Sequence, residues 1–187
     1  MQYNSDIHHR HSIRLQDFDY SQNGYYFITI CTKNRECFLG EITNEKIKLS
    51  TIGEIVYKYW IEIPQHFGNT LSDEFVIMPN HVHGIVVIEN NNVMHDVRAC
   101  HGMPQRFGTS ISKSLPMIVN HFKSAVKRWC NNNGFEYFQW QRNYYEHIIR
   151  NESELNRIRE YIKNNPIQWE FDRNNLRNTD KINNHNT

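Results

Sequence analysis

Phe75-Val-Ile-Met-Pro-Asn-His81-Val-His83-Gly-Ile-Val-Val-Ile88 decides how the rest of the chain is read. Two short runs of β-branched and bulky apolar residues flank a Pro79-Asn80 turn signal, the pattern of a strand hairpin. Side chains on a strand alternate faces with a period of two. His81 and His83 therefore project from the same face with neighbouring imidazoles. Two readings follow: a pair of ligands offered to one metal ion, or two polar residues at a strand mouth with ordinary hydrogen bonds.

Upstream of the hairpin, Tyr25-Tyr-Phe-Ile-Thr-Ile-Cys-Thr32 is β-branched and aromatic throughout, which predicts a buried strand. Phe38 to Ile47 reads as a small hairpin with Gly40 and Asn44 as turn residues. Thr51-x-x-Glu54 has the form of a capping box. Ile52, Ile55, Val56, Tyr59, Trp60 and Ile63 then recur at helical spacing, so a helix runs to about Pro64.

Downstream, residues 89–110 are a long polar loop containing Gly102, Pro104 and Gly108. A helix follows from about Ser114 to Asn131, with Leu115, Ile118, Val119, Phe122, Val126 and Trp129 as its apolar stripe. Phe138 to Ile149 is a further strand with its approach. Asn151 caps a last helix from Glu152 to about Asn165, stopped by Pro166. The order is that of an α+β, ferredoxin-like βαββαβ sandwich: an antiparallel sheet with helices on one face, plus a C-terminal helix. Residues 1–22, with His8, His9 and His11, read as a polar N-terminal arm. Residues 23–170 form a single domain, and the Asn-rich residues 171–187 a flexible tail.

Composition narrows the class. The 187 residues are 39% hydrophobic and 13% aromatic, which is globular, and the net charge is only +1. The charge is uneven: residues 97–150 hold eight Lys and Arg against Glu136 and Glu146, a net of +6 that suits a phosphate backbone. Lys123 and Lys127, four apart on one helix face, and Arg142 are the candidates for such contacts. Cys31, Cys37, Cys100 and Cys130 show no C-x-x-C spacing, which argues against a zinc–cysteine site and fits reduced thiols. No run reaches the ~18 apolar residues of a membrane span. A soluble, cytoplasmic protein with no membrane partner is expected.

The last helix adds a second polar pair. At about 100° per residue, Tyr161 and Asn165 fall one turn apart on the edge of the Leu155, Ile158 and Ile162 stripe. A phenol and a carboxamide would project side by side, or the tyrosine would simply pack at the core margin.

Four blocks taken in order carry a resemblance: Tyr26-Phe-Ile-Thr-Ile-Cys-Thr, Met78-Pro-Asn-His-Val-His-Gly, Trp140-Gln-Arg-x-Tyr-Tyr-Glu-His-Ile-Ile-Arg and Arg159-Glu-Tyr-Ile-x-x-Asn-Pro. Over about residues 12 to 170 the chain resembles the REP-associated tyrosine transposases, a branch of the single-tyrosine HUH transposases. That resemblance implies His81, His83 and Asn165 as ligands of a divalent metal, Mg²⁺ or Mn²⁺, and Tyr161 as the nucleophile. It implies single-stranded or hairpin DNA of repetitive palindromic type as substrate. The DNA would be cleaved and rejoined through a covalent 5′-phosphotyrosine, by a monomer or a homodimer.

A phenol with a pKa near 10 needs help to attack a phosphodiester. A metal with open positions would polarise the phosphate and offset charge on the leaving oxygen. Tyr144 and Tyr145 are rival nucleophiles, and on a strand only one of them could face the metal. Glu146 and His147 are placed to tune the site or to hold the structure. Against the enzyme stand two rivals: a hairpin-binding module of the same fold that does not cut, and a metal-dependent phosphoesterase acting through water.

Overall fold

The computed structural model describes residues 18–90, 113–172 and 174–175. The readings placed on residues 1–17, on 91–112 and on 176–187 lie outside the described residues, including the three-histidine cluster, Cys100 and most of the central loop.

Four strands build the main sheet: β1 (Gly24–Cys31), β4 (Thr70–Met78), β5 (His81–Ile88) and β6 (Tyr145–Ile149). Their order is β4-β5-β1-β6 and every neighbouring pair is antiparallel. β2 (Gly40–Thr43) and β3 (Lys46–Leu49) form a separate hairpin. Its turn is Asn44-Glu45, both at positive φ (50° and 61°), the primed geometry that matches strand twist. Gly40, expected in a turn, instead opens β2, where a Cβ would strike the Lys48 carbonyl.

The helices are α1 (Thr51–Ile61), the short α2 (Ile63–His66), α3 (Leu115–Asn132) and α4 (Glu152–Asn164). The α1 cap lies one residue earlier than Thr51: Ser50 Oγ accepts the Gly53 amide at 3.1 Å. Asn151 caps α4 as expected, accepting the Glu154 amide at 2.8 Å. No helix among the described residues is long and apolar enough to cross a membrane.

The period-two alternation of β1 and β5 separates two cores. Tyr26, Ile28, Ile30, Val82, Val86 and Ile88 meet the stripes of α1 and α3. Phe27, Ile85, Val87 and Ile149 face the other way and meet Leu155 and Ile162 of α4. Helices thus cover both faces: α1 and α3 occupy one, as the sandwich predicts, and α4 lies across the other. Gly84 is required on the α1 side, because the Trp60 ring would lie 2.2 Å from a Cβ there. Two termini of the expected domain shift. Phe18 and Tyr20, assigned to the polar arm, pack on the α1/α3 core. Asp172, Asn174 and Asn175, assigned to the tail, are buried.

Candidate active site

His81 and His83 stand on the α4 face of β5, opposite Cys31 and Thr29 of β1. Their rings are 4.3 Å apart, and they are 0% and 1% exposed. β5 is a central strand, paired on both sides, so the two imidazoles sit on backbone that cannot shift register without moving the whole sheet.

Hydrogen bonds orient each ring. Asn80 Nδ2 donates to the Arg35 and Asn174 carbonyls, both at 2.8 Å, which fixes the amide orientation. Asn80 Oδ1 then accepts from His81 Nδ1 at 2.8 Å. This tautomer leaves the lone pair of His81 on Nε2, which faces the Asp172 carboxylate at 3.9 Å. His83 Nδ1 lies 2.8 Å from Thr29 Oγ1 and its Nε2 lies 3.2 Å from the Tyr161 hydroxyl. The pair is consistent when Tyr161 donates to Nε2 and Nδ1–H donates to Thr29. Phe27 stacks on His83 with centroids 5.4 Å apart and meets Tyr161 edge-on at 6.1 Å.

α4 delivers Tyr161 because its apolar stripe seats on the sheet and leaves the next edge over the histidines. Tyr161 is 40% exposed, while its partner imidazole is buried. One turn on, Asn165 is buried to 2% exposure, and its Oδ1 has no hydrogen-bond partner in the described structure. A buried acceptor left in that condition is costly.

Asp172 is the site residue that sequence reasoning did not find. Ligand atoms of His81, His83 and Asp172 all lie within 4.8 Å of one another. Two imidazoles and a carboxylate form a mixed nitrogen and oxygen set of the kind that suits a divalent cation. Asp172 adds a negative charge to a set that would otherwise be neutral. It follows the Trp169–Phe171 3₁₀ turn in an Asn-rich stretch without a motif, so its sequence carried no signal.

Tyr144 points into the α1/α3 core, and Tyr145 lies on the site face, edge-on to Phe27 at 6.4 Å. His147 Nε2 meets Glu154 Oε1 at 2.8 Å, and Glu154 Oε2 accepts the Arg150 amide at 3.0 Å, so His147 serves the start of α4. Lys123 Nζ donates to the Gln141 and Arg142 carbonyls at 2.7 and 3.0 Å. Lys127 Nζ donates to those of Glu136 and Phe138, both at 2.8 Å. The two lysines fasten the α3–β6 connection to α3, a role that their spacing did not announce. Burial lowers the Lys123 ammonium to about 8. Arg142 is exposed.

No protein-family model matches the chain. The chain is 47% identical over 175 residues to an "uncharacterized protein" of Haemophilus influenzae, covering 91% of this chain and 95% of that one. It is 26% identical over 152 residues to a second Haemophilus influenzae protein, named as a REP-associated tyrosine transposase, covering 80% and 74% respectively. Among solved structures it shares its fold with a REP-associated tyrosine transposase bound to a REP hairpin. The TM-score is 0.55 at 18% identity, covering 83% of this chain and 73% of that chain.

Proposed function

We propose, for a chain that resembles the REP-associated tyrosine transposases in sequence and fold, that it cleaves and rejoins single-stranded or hairpin DNA through a covalent tyrosine link. The observation that carries this reading is the Tyr161 hydroxyl, on an exposed side chain and 3.2 Å from His83 Nε2 of a buried His-His-Asp cluster.

Tyr161 oxygen attacks the phosphorus of a phosphodiester, the P–O3′ bond breaks, and the 3′-oxygen leaves as a hydroxyl. The 5′ side stays on the tyrosine, so the bond energy is kept and the reverse attack reseals the strand without ATP. Phosphoryl transfer depends chiefly on positioning and charge stabilisation. Here α4 positions the phenol and β5 positions the imidazoles. A divalent ion, Mg²⁺ or Mn²⁺, would be held by His81 Nε2, His83, Asn165 Oδ1 and Asp172, and would supply Lewis-acid polarisation of the phosphate. Mixed imidazole and oxygen donors favour Mn²⁺ of the two. Asn80 and Thr29 hold the ring tautomers that this set needs.

Lys123, Lys127 and Arg142 are assigned to the DNA backbone. Each ammonium carries three N–H donors and spends two on carbonyls, which leaves one for a phosphate. The basic stretch they belong to supplies the sequence-independent part of binding.

The test is incubation with a labelled pool of single-stranded DNA hairpins and Mn²⁺, followed by a denaturing gel. A protein–DNA band that survives denaturation and vanishes in Tyr161→Phe is expected, with hairpin binding retained by the variant. Tight hairpin binding and bound Mn²⁺ without any such band would replace the enzyme by a module that binds hairpins and does not cut. Cleavage that survives Tyr161→Phe would point to attack by water.

A further inference from the structure

The helical layer that covers the far face of the sheet carries a recess of its own. Along α3, His121, Ala125, Arg128 and Asn132 recur at intervals of four, three and four, so they form one stripe beside the apolar one. Tyr59 of α1 and Ile63 and His66 of α2 line the opposite side, and about 290 Å³ lies between. Ala125 keeps the hollow open, because it places a single methyl among large neighbours. The recess lies over the α1/α3 core, on the other face of the sheet from α4 and Tyr161.

Its chemistry is one-sided. His66 and His121 stand with ring centroids 5.0 Å apart, and the Arg128 guanidinium shares the lining with them. Among the described residues none of these three side chains makes a hydrogen bond or an ion pair, and no carboxylate lines the recess. Burial, with His66 and Arg128 beside it, holds the His121 pKa below its ordinary value, and a bound anion would offset that grouping of like charges. The walls are fixed. His121 meets Phe67 edge-on at 5.3 Å, and the Trp129 indole stacks on Phe135 with centroids 5.7 Å apart.

We propose that this recess binds a small phosphomonoester with a planar apolar body, its phosphate against Arg128, His66 and His121 and its body against Tyr59, Ile63 and Trp129. A guanidinium offers paired N–H donors to a phosphate, and protonated imidazoles add further donors. Small-ligand sites combine apolar walls with a few placed polar groups in this way, at volumes from ~300 Å³ upward, so the recess suits a molecule of about one ring. Two neighbouring imidazoles could also be offered to a metal ion, but the guanidinium beside them repels a cation. The site shares no residue with the tyrosine and histidine cluster and stands or falls independently of the proposed function.

The experiment titrates the isotope-labelled full chain with phenyl phosphate, with phenol and with inorganic phosphate, and follows backbone amides and the indole N–H groups by two-dimensional NMR. The variants are R128Q, which removes a phosphate donor, and A125L, which fills the hollow; thermal melting checks that both keep the fold. Phenyl phosphate is expected to shift the Trp129 indole and the amides around His121 and His66, and to bind at least about tenfold more tightly than phenol or inorganic phosphate. R128Q should weaken it by about tenfold or more, the usual loss for a hydrogen bond to a charged group, and A125L should abolish it. Equal binding of phenol would make the recess merely apolar and overturn the proposal. So would shifts that R128Q and A125L leave unchanged, or the absence of any shift. Displacement of phenyl phosphate by a DNA hairpin would assign the recess to a DNA-binding surface and overturn it as well.

Discussion

Asn80 shows how much one side chain carries. It donates to two carbonyls and accepts from His81, all at 2.8 Å, and it is 0% exposed. Replacing it by Ala removes three buried hydrogen bonds and frees the His81 tautomer. At about 1 kcal/mol per bond the loss of stability is about 3 kcal/mol, measurable by urea denaturation. Outer partners of metal-binding histidines are worth about 10–100-fold in affinity, so titration calorimetry of Mn²⁺ should show a drop of that size. In the sequence Asn80 reads as half of a Pro-Asn turn, and that much is right. Its bond to Asn174, 94 residues away, has no local pattern to reveal it. Asp172 is hidden for the same reason. Strand and helix periodicities put His81 beside His83 and Tyr161 beside Asn165, because they fix which neighbours share a face. The resemblance, rather than the geometry, named the three ligands and the nucleophile.

At the scale of elements, the placement of α4 decides whether Tyr161 meets His83. Apolar packing sets its depth, and a clamp sets its rotation. The β4 register shifts between Ser72 and Phe75, and Asp73 in that bulge takes a two-pronged bond from Arg159 at 2.6 and 2.9 Å. Lys163 adds a contact with Glu74 at 2.9 Å. The Arg159 hydrogen bond holds the Asp73 carboxyl below its ordinary value. A depressed carboxylate stabilises the fold fully above its unfolded pKa and loses that contribution as pH falls through the folded one. The clamp is therefore complete above about pH 4 and released below it. Asp73→Asn should cost about 1 kcal/mol at neutral pH and flatten the acid limb of a stability–pH curve. Charge alternation did not signal this clamp, because the bulge that aims Asp73 is a backbone irregularity. The elements themselves were legible, since their periods differ and their caps sit in recognisable positions. Edges shifted: the α1 cap lies at Ser50, the helix expected to reach Pro64 breaks at Glu62 before α2, and Gly40 opens β2 while Asn44 turns as read.

For the whole molecule, the division into two cores means that the candidate ligands come from parts of unequal security. His81 and His83 belong to a central strand, while Asn165 and Asp172 come from the end of α4 and the segment after it. An ion that bridges them joins those parts. Bound at ~100 times its dissociation constant, it should raise stability by about 2.7 kcal/mol, seen as an upward shift in melting temperature that EDTA reverses. Asp172→Asn should reduce that shift. A missing shift in the unaltered protein would count against the metal.

The pairing of β5 on both sides also sets a clock. Amide protons on its backbone exchange with deuterium only when the sheet itself comes apart, whereas those of α4 exchange whenever that helix lifts from its face. The gap between the two exchange free energies measures how often Tyr161 leaves its histidine while the rest of the protein stays folded.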